Sequence, residues 1–457
     1  MANYPDVQST NQITDSSPRL MLKWTCAAAA RRFHTLGLHP KLVHSLKQNG
    51  IHEPSQVQRV AIPAILDAAR PDVIVGAETG SGKTLTYILP LLERFHAQYP
   101  LGHVRKPMAV ILVPTQELVK QIETVFGMCQ ADMTVACLTK THAIPRHAAV
   151  IVGTPKALLQ HVSVTDLQFV ESIVVDEADM LLGGGFERDT KQILGVIRNQ
   201  PLLDPSFNVF HETAFDGAVE IPTASHGRQT VFSAATIPTY GRLAVSEYLK
   251  KKFPDAEYAI TDNFHRTVPT LDQSFVRLND SSVDARQQLL LEILANDKSV
   301  GTTLIFVDSV ASAKALHAFL HVLHGVPCTM LHKEIPRQER SVVLAASSSS
   351  NGTSKHIVVA TDIAARGLDL RHVNHVIQYE FATNVVAHIH RIGRTARAGT
   401  VGKVTNIITS DNELVYNEVA AAGATGALTQ GFSRRRSLRK KFKKAARPQG
   451  DSDQDAY

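Results

Sequence analysis

The 457-residue sequence has only four cysteines, Cys26, Cys129, Cys137 and Cys328, and no two of them form a C-x-x-C pair. So sparse a set excludes a disulfide framework, fits a reducing compartment and speaks against structural zinc, so the four read as small core residues. No apolar run approaches the roughly 18 to 20 residues that a bilayer-spanning helix needs. The longest strand-like runs are of the "AVILVP" kind, from Ala109, so no membrane partner is expected. The body of the chain also lacks net charge. The segment Phe432–Gly450 holds nine Arg or Lys and no acid, three Asp follow it, and the formal +6 leaves zero for the first 431 residues. A like-charge run of this kind is either a solvated, disordered end or a nucleic-acid contact, and both readings stand open here. The 44% hydrophobic and 20% charged residues describe an ordinary globular chain of two or three domains.

Short β-branched runs alternate with helical stretches: "DVIVGA" from Asp72, "AVILVP" from Ala109, "AVIVGTP" from Ala149, "SIVVDEAD" from Ser172 and "QTVFSAAT" from Gln229. Continuous rather than alternating apolar runs are the mark of parallel strands buried on both faces. After residues 253–267, read as a linker, the rhythm restarts with "QSFVRL", "TTLIFVDS", "CTMLH", "HIVVATD", "HVIQYE" and "KVTNIIT". The expected architecture is therefore α/β, with two tandem parallel-sheet domains and a cleft between them, over residues 33–252 and 268–430. Residues 1–32 form an N-terminal extension that is open to an organelle-targeting role, although Asp6 and Asp15 spoil the acid-poor pattern of such segments. Residues 431–457 form the basic tail. Pro201–Arg228 and "SSSSNGTS" from Ser347 read as surface loops.

The stretch "GAETGSGKT" from Gly76 joins a buried run to an apolar-periodic helix. A glycine-rich turn opening a helix aims unpaired N–H groups and the positive end of the helix dipole at one spot, which favours phosphate. Gly82, Lys83 and Thr84 fill the last places of the G-x-x-x-x-G-K-[ST] template, and Ala77 stands where its first glycine would be. In "VVDEADMLL", Asp176 and Glu177 follow a buried strand. Asp176 suits Mg²⁺ and Glu177 the activation of an attacking water, while two acids opening a helix is the competing structural reading. "HRIGRTARAG" sets Arg391, Arg394 and Arg397 at steps of three, so that their guanidiniums can point to one side and meet developing phosphate charge. "VVATDIAARGLDL" places Thr361, Arg366 and Asp369 past another buried strand.

Together these motifs, in this order from Phe33 to about Ser410, resemble the DEAD-box RNA helicases, which carry two RecA-like domains. The resemblance implies an RNA helicase that hydrolyses ATP with Mg²⁺. Phe33 and Gln58 would form its adenine-reading segment, with Gln58 selecting ATP. Ala77, Glu78, Thr79, Gly80, Ser81, Gly82, Lys83 and Thr84 would form the triphosphate loop, Ala77 being the family's own variant. Thr84 and Asp176 would hold the metal, and Asp369 would touch the ribose. Glu177, Lys83, Arg394 and Arg397 would be the catalytic set. Pro114, Thr115, Thr154, Pro155, Phe306 and Thr361 would contact the RNA backbone, reading phosphate and sugar rather than base identity.

Some positions depart from the family pattern. Gln116 replaces Arg in P-T-R-E-L, Lys156 and Ala157 replace Gly-Arg, and the S-A-T coupling motif falls on Ala234, Ala235 and Thr236 with Ser233 one place early. Arg337 stands for Gln in Q-x-x-R, and Ala396 stands for the glycine between the finger arginines. "DEADMLLGGGF", "YEFATN", "RTARAG" and the basic tail look most like the plant and algal organellar branch associated with ribosome assembly. That likeness implies ribosomal RNA as substrate, ribosome-assembly proteins as partners, a monomer, and an organelle as first choice of compartment with the nucleolus as alternative. The competing function is an ATP-gated RNA clamp or scaffold that unwinds little.

Overall fold

The computed structural model describes residues 32–425, apart from 100–105, 130–132, 139–146, 184, 204–226, 238–244, 263, 265–269, 337–338, 341, 344–354 and 363–371. Arg366, Asp369, Arg337, the N-terminal extension before Arg32, the Ser-rich loop, most of Pro201–Arg228 and the basic tail lie outside the described residues.

The first domain is built on β1 (Val73–Gly76), β2 (Ala109–Leu112), β3 (Thr134–Cys137), β4 (Ala148–Gly153), β5 (Ser172–Asp176), β6 (Gln229–Ala234) and β7 (Glu257–Ile260). They form a seven-stranded sheet in the order β3-β4-β2-β5-β6-β1-β7, with every pair parallel. The five runs expected from the sequence are the inner strands, buried at every position. Helices Gln56–Leu66, Lys83–Gln98 and Gln116–Met128 cover one face, and Pro155–His161, Ala178–Gly183, Glu187–Arg198 and Val245–Lys252 cover the other.

The stretch read as a linker contains β7, which pairs with β1 in the register Val73↔Glu257 to Gly76↔Ile260. The sequence "EYAI" lacks the continuous apolar run of an inner strand because β7 lies at the sheet edge, where only Ala259 is buried. The first domain therefore extends to at least Ile260.

In the second domain β8 (Leu271–Arg277), β9 (Gly301–Val307), β10 (Cys328–Leu331), β11 (Lys355–Thr361), β12 (Val373–Gln378) and β13 (Gly402–Ile408) form a six-stranded parallel sheet ordered β10-β11-β9-β12-β13-β8. Because all first-domain strands are parallel, the segments leaving β1, β2, β4, β5 and β6 emerge at one edge. There Gly76 pairs with Ala234 and Asp176 with Ser233, so the ends of β1 and β5 lie level across β6. The C-terminal edge of such a sheet is where α/β folds place ligands.

Candidate active site

After β1 the chain turns through Ala77–Gly82 before the helix Lys83–Gln98 begins. Gly80 and Gly82 have φ of 79° and 88°, a region L side chains avoid. The close approaches there also need glycine. A Cβ on Gly80 would lie 2.8 Å from Arg397 Cγ, and one on Gly82 would lie 2.6 Å from Gln58 Nε2. Ala77 has no positive φ, and its N–H donates to Ala234 O at 3.3 Å, so a first glycine has no task at that position. The ammonium of Lys83 donates to the Ala77 and Glu78 carbonyls, both at 2.9 Å, and Ser81 Oγ donates to Glu78 O at 2.8 Å. Burial lowers the Lys83 pKa, against the pull of Glu177, Asp176, Asp179 and Glu78.

Asp176 ends β5 almost fully buried. Its Oδ2 accepts from the Tyr87 phenol at 2.9 Å and its Oδ1 from Glu177 N–H at 3.0 Å. Burial and the neighbouring Glu177 carboxylate raise its pKa, opposed by the hydroxyls of Ser233 and Tyr87 and by Lys83. Glu177 itself is left-handed, with φ of 51°, a strained conformation for a side-chain-bearing residue that turns the chain out of the strand. Asp179 accepts from the Thr236 hydroxyl and meets His390 Nε2 at 2.8 Å. His390 comes from the second domain, so this contact crosses the cleft, and its Nδ1 lies 3.7 Å from Glu177 Oε2. Thr79 Oγ1 also crosses, donating to Gly393 O at 3.1 Å, and Arg340 pairs with Glu117 at 2.5 Å.

The three arginines of "HRIGRTARAG" do not share one side. The helix Val385–Ile392 ends before Gly393, so Arg394 and Arg397 lie past its end while Arg391 stays on it. Arg391 points into the second domain, with Nε and Nη2 on the Asp362 carboxylate at 2.7 and 2.9 Å, Nη2 also on Asp308 at 2.7 Å, and its guanidinium 5.2 Å from the Phe306 ring centroid. Burial opposes its charge, and the two carboxylates outweigh that cost. Arg397 lies against Gly80, its Nε donating to Gly393 O at 2.9 Å, and Arg394 Nε donates to His390 O at 3.2 Å.

Two expected contact residues are core residues. Phe306 is 1% exposed on β9 beneath Arg391, because β9 is buried on both faces, and so it has no ring surface for RNA. Phe33 is likewise 1% exposed, packed in the first-domain core, and offers no face to an adenine. Gln58 is buried between its own helix start and the phosphate loop. Its Oε1 accepts from Ser55 N–H at 2.9 Å and its Nε2 donates to Gly82 O at 3.1 Å, which leaves one amide N–H for a ligand. Ala234 and Ala235 are buried and apolar, so Thr236 alone of the three carries a polar group to Asp179. Thr115 and Thr154 cap the helices Gln116–Met128 and Pro155–His161 through Leu118 N–H and Ala157 N–H, beside the buried Pro114 and Pro155. Thr361 ends β11, paired with Val307. His390 and Tyr87 do not stand out in the sequence: His390 heads a motif dominated by its arginines, and Tyr87 sits in an apolar helix where it reads as core.

A phosphate cradle on one parallel-sheet domain, completed by arginines from a second, defines a nucleoside-triphosphatase with a cleft-borne site. The first half matches the DEAD/DEAH box helicase model over residues 55–243, and the second matches the helicase conserved C-terminal domain over residues 285–399. DEAD-box ATP-dependent RNA helicase 22 of Arabidopsis thaliana is 30% identical over 498 residues, covering 90% of this chain and 83% of that protein. The pre-mRNA-splicing ATP-dependent RNA helicase prp28 of Schizosaccharomyces pombe is 29% identical, covering 85% of this chain and 58% of its own length. In fold, the chain is similar to S. cerevisiae Dbp5 bound to RNA and ADP BeF3, with a TM-score of 0.69 at 24% identity over 88% of this chain and 95% of that one. The chain belongs to the DEAD-box family of ATP-dependent RNA helicases.

Proposed function

We propose that ATP is hydrolysed at the seam between the two domains, and that closing and opening of the seam remodels short RNA duplexes. The observation that carries this reading is the interlock of Asp179 with His390, Thr79 with Gly393 and Gly80 with Arg397, which brings the acids, the phosphate loop and the arginines to one place. Lys83 and the loop amides hold the triphosphate, Glu177 orients and deprotonates the attacking water, and Arg394 and Arg397 meet charge building on the γ-phosphate. The spare N–H of Gln58 is available to the adenine edge, and Asp369 is assigned to the ribose. Thr84 and Asp176 offer oxygen only, a donor set that suits Mg²⁺, which would neutralise phosphate charge.

RNA is gripped through its backbone at Pro114–Thr115 and Thr154–Pro155, where capped helix starts supply N–H groups, and at Thr361 in the second domain. Thr236 on Asp179, beside His390, supports coupling of hydrolysis to closure despite the shifted S-A-T motif. Ala234 and Gln116 favour the clamp reading, and unwinding of a short duplex decides between the two. The ribosomal RNA target, ribosome-assembly partners and an organelle with the nucleolus as alternative rest on the sequence pattern and the basic tail. The relatives include splicing helicases, so crosslinking in cells separates the two: on this reading the recovered RNA should be ribosomal, and recovery of spliceosomal RNA instead would overturn that part.

Glu177→Gln keeps shape and loses the base, so it should bind ATP and RNA while RNA-stimulated turnover is lost. Near wild-type turnover would remove Glu177 from the chemistry.

A further inference from the structure

Tyr87 has no role in the mechanism so far, yet its phenol is hydrogen-bonded to Asp176, a residue assigned to magnesium. It lies on the helix Lys83–Gln98, three residues after Thr84 and four after Lys83, a spacing that puts all three on one helix face. The side chain is completely buried, and a buried phenol needs a partner for its O–H. It finds Asp176 Oδ2 on β5 at 2.9 Å.

The phenol donates its proton to Asp176 Oδ2. With Glu177 N–H on Oδ1 and the phenol on Oδ2, the carboxylate is fixed at both oxygens. Outer partners of this kind set the orientation of metal ligands.

We propose that Tyr87 is a positioning residue for magnesium, orienting Asp176 through the hydrogen bond that its phenol donates to Asp176 Oδ2. The proposal rests on the assignment of Asp176 to the metal made above.

The test uses the full chain and a fluorescent ADP carrying an N-methylanthraniloyl group, titrated with Mg²⁺ present and with EDTA. Tyr87→Phe keeps the ring and its packing. It should reduce the magnesium-dependent gain in nucleotide affinity by about 10-fold or more, the usual cost of losing an outer partner, while affinity in EDTA stays unchanged. An unchanged magnesium gain in Tyr87→Phe would overturn the proposal, and so would an equal loss with and without Mg²⁺, which marks a packing role only. Asp176→Asn separates the two levels. If Asp176→Asn loses the gain while Tyr87→Phe keeps it, the positioning role alone fails. If Asp176→Asn keeps it, the metal assignment fails and takes the proposal with it.

Discussion

On the first-domain side of the cleft, Lys83, Asp176 and Glu177 are fixed by short-range hydrogen bonds at the ends of β1 and β5, within a sheet whose register brings those ends level. On the other side, Arg394 and Arg397 hang beyond the end of the helix Val385–Ile392, and the nearest deep anchor is Arg391, locked to Asp308 and Asp362. One lip is built in place and the other is delivered. The lesson is that a change on the first lip should act on chemistry directly, while changes on the second can act on chemistry, on closure or on the local fold, depending on which residue is touched.

The largest effect that separates these cases is at Arg397. Arg397→Ala should lower RNA-stimulated kcat on the order of 10³-fold, with ATP affinity far less affected, since a finger acts on transition-state charge. Steady-state kinetics decide it, and a change confined to KM for ATP would place Arg397 outside the reaction. Gly393 tests delivery alone. A Cβ there would lie 2.7 Å from Thr79 Cβ, a contact that only separation of the lips relieves, while the backbone at φ of −69° accepts alanine. Gly393→Ala should therefore cost RNA-stimulated turnover by roughly 10² and shift fluorescence energy transfer between labelled domains toward the open state. Wild-type transfer would mean that the lips do not meet at Gly393.

The smallest effect concerns local fold. Ala396 sits at φ of 54° between the two fingers, where the family has glycine, and alanine in that region costs about 1 kcal/mol. Ala396→Gly should move the urea midpoint up by a corresponding amount, and a lower midpoint would show that the strain is compensated elsewhere.

How much of this could be read from the sequence depended on burial. Inner strands such as "VIVG" and "SIVVD" are apolar on both faces and announce themselves, whereas the edge strands "TVAC" and "EYAI" do not. Lys83, Asp176 and Glu177 are legible because chemistry and spacing coincide at strand ends. Phe33, Phe306 and Arg391 show the limit of motif reading, since spacing marks a residue without saying whether its side chain faces the cleft or the core. Three-residue steps from Arg391 suggest one face, but Gly393 ends the helix between them and the directions diverge. His390 and Tyr87 act through partners distant in sequence, Asp179 and Asp176, so only the packing of the two domains or of helix on strand reveals them.

If the two lips form one site when closed, the bond between Asp179 and His390 must couple them. RNA-stimulated kcat/KM for ATP should be measured in Asp179→Asn, His390→Gln and the double variant. If the bond completes the site, the second substitution adds little to the first, a coupling of about 1 kcal/mol or more, whereas independent sites would give losses that add to within roughly 0.5 kcal/mol and contradict it.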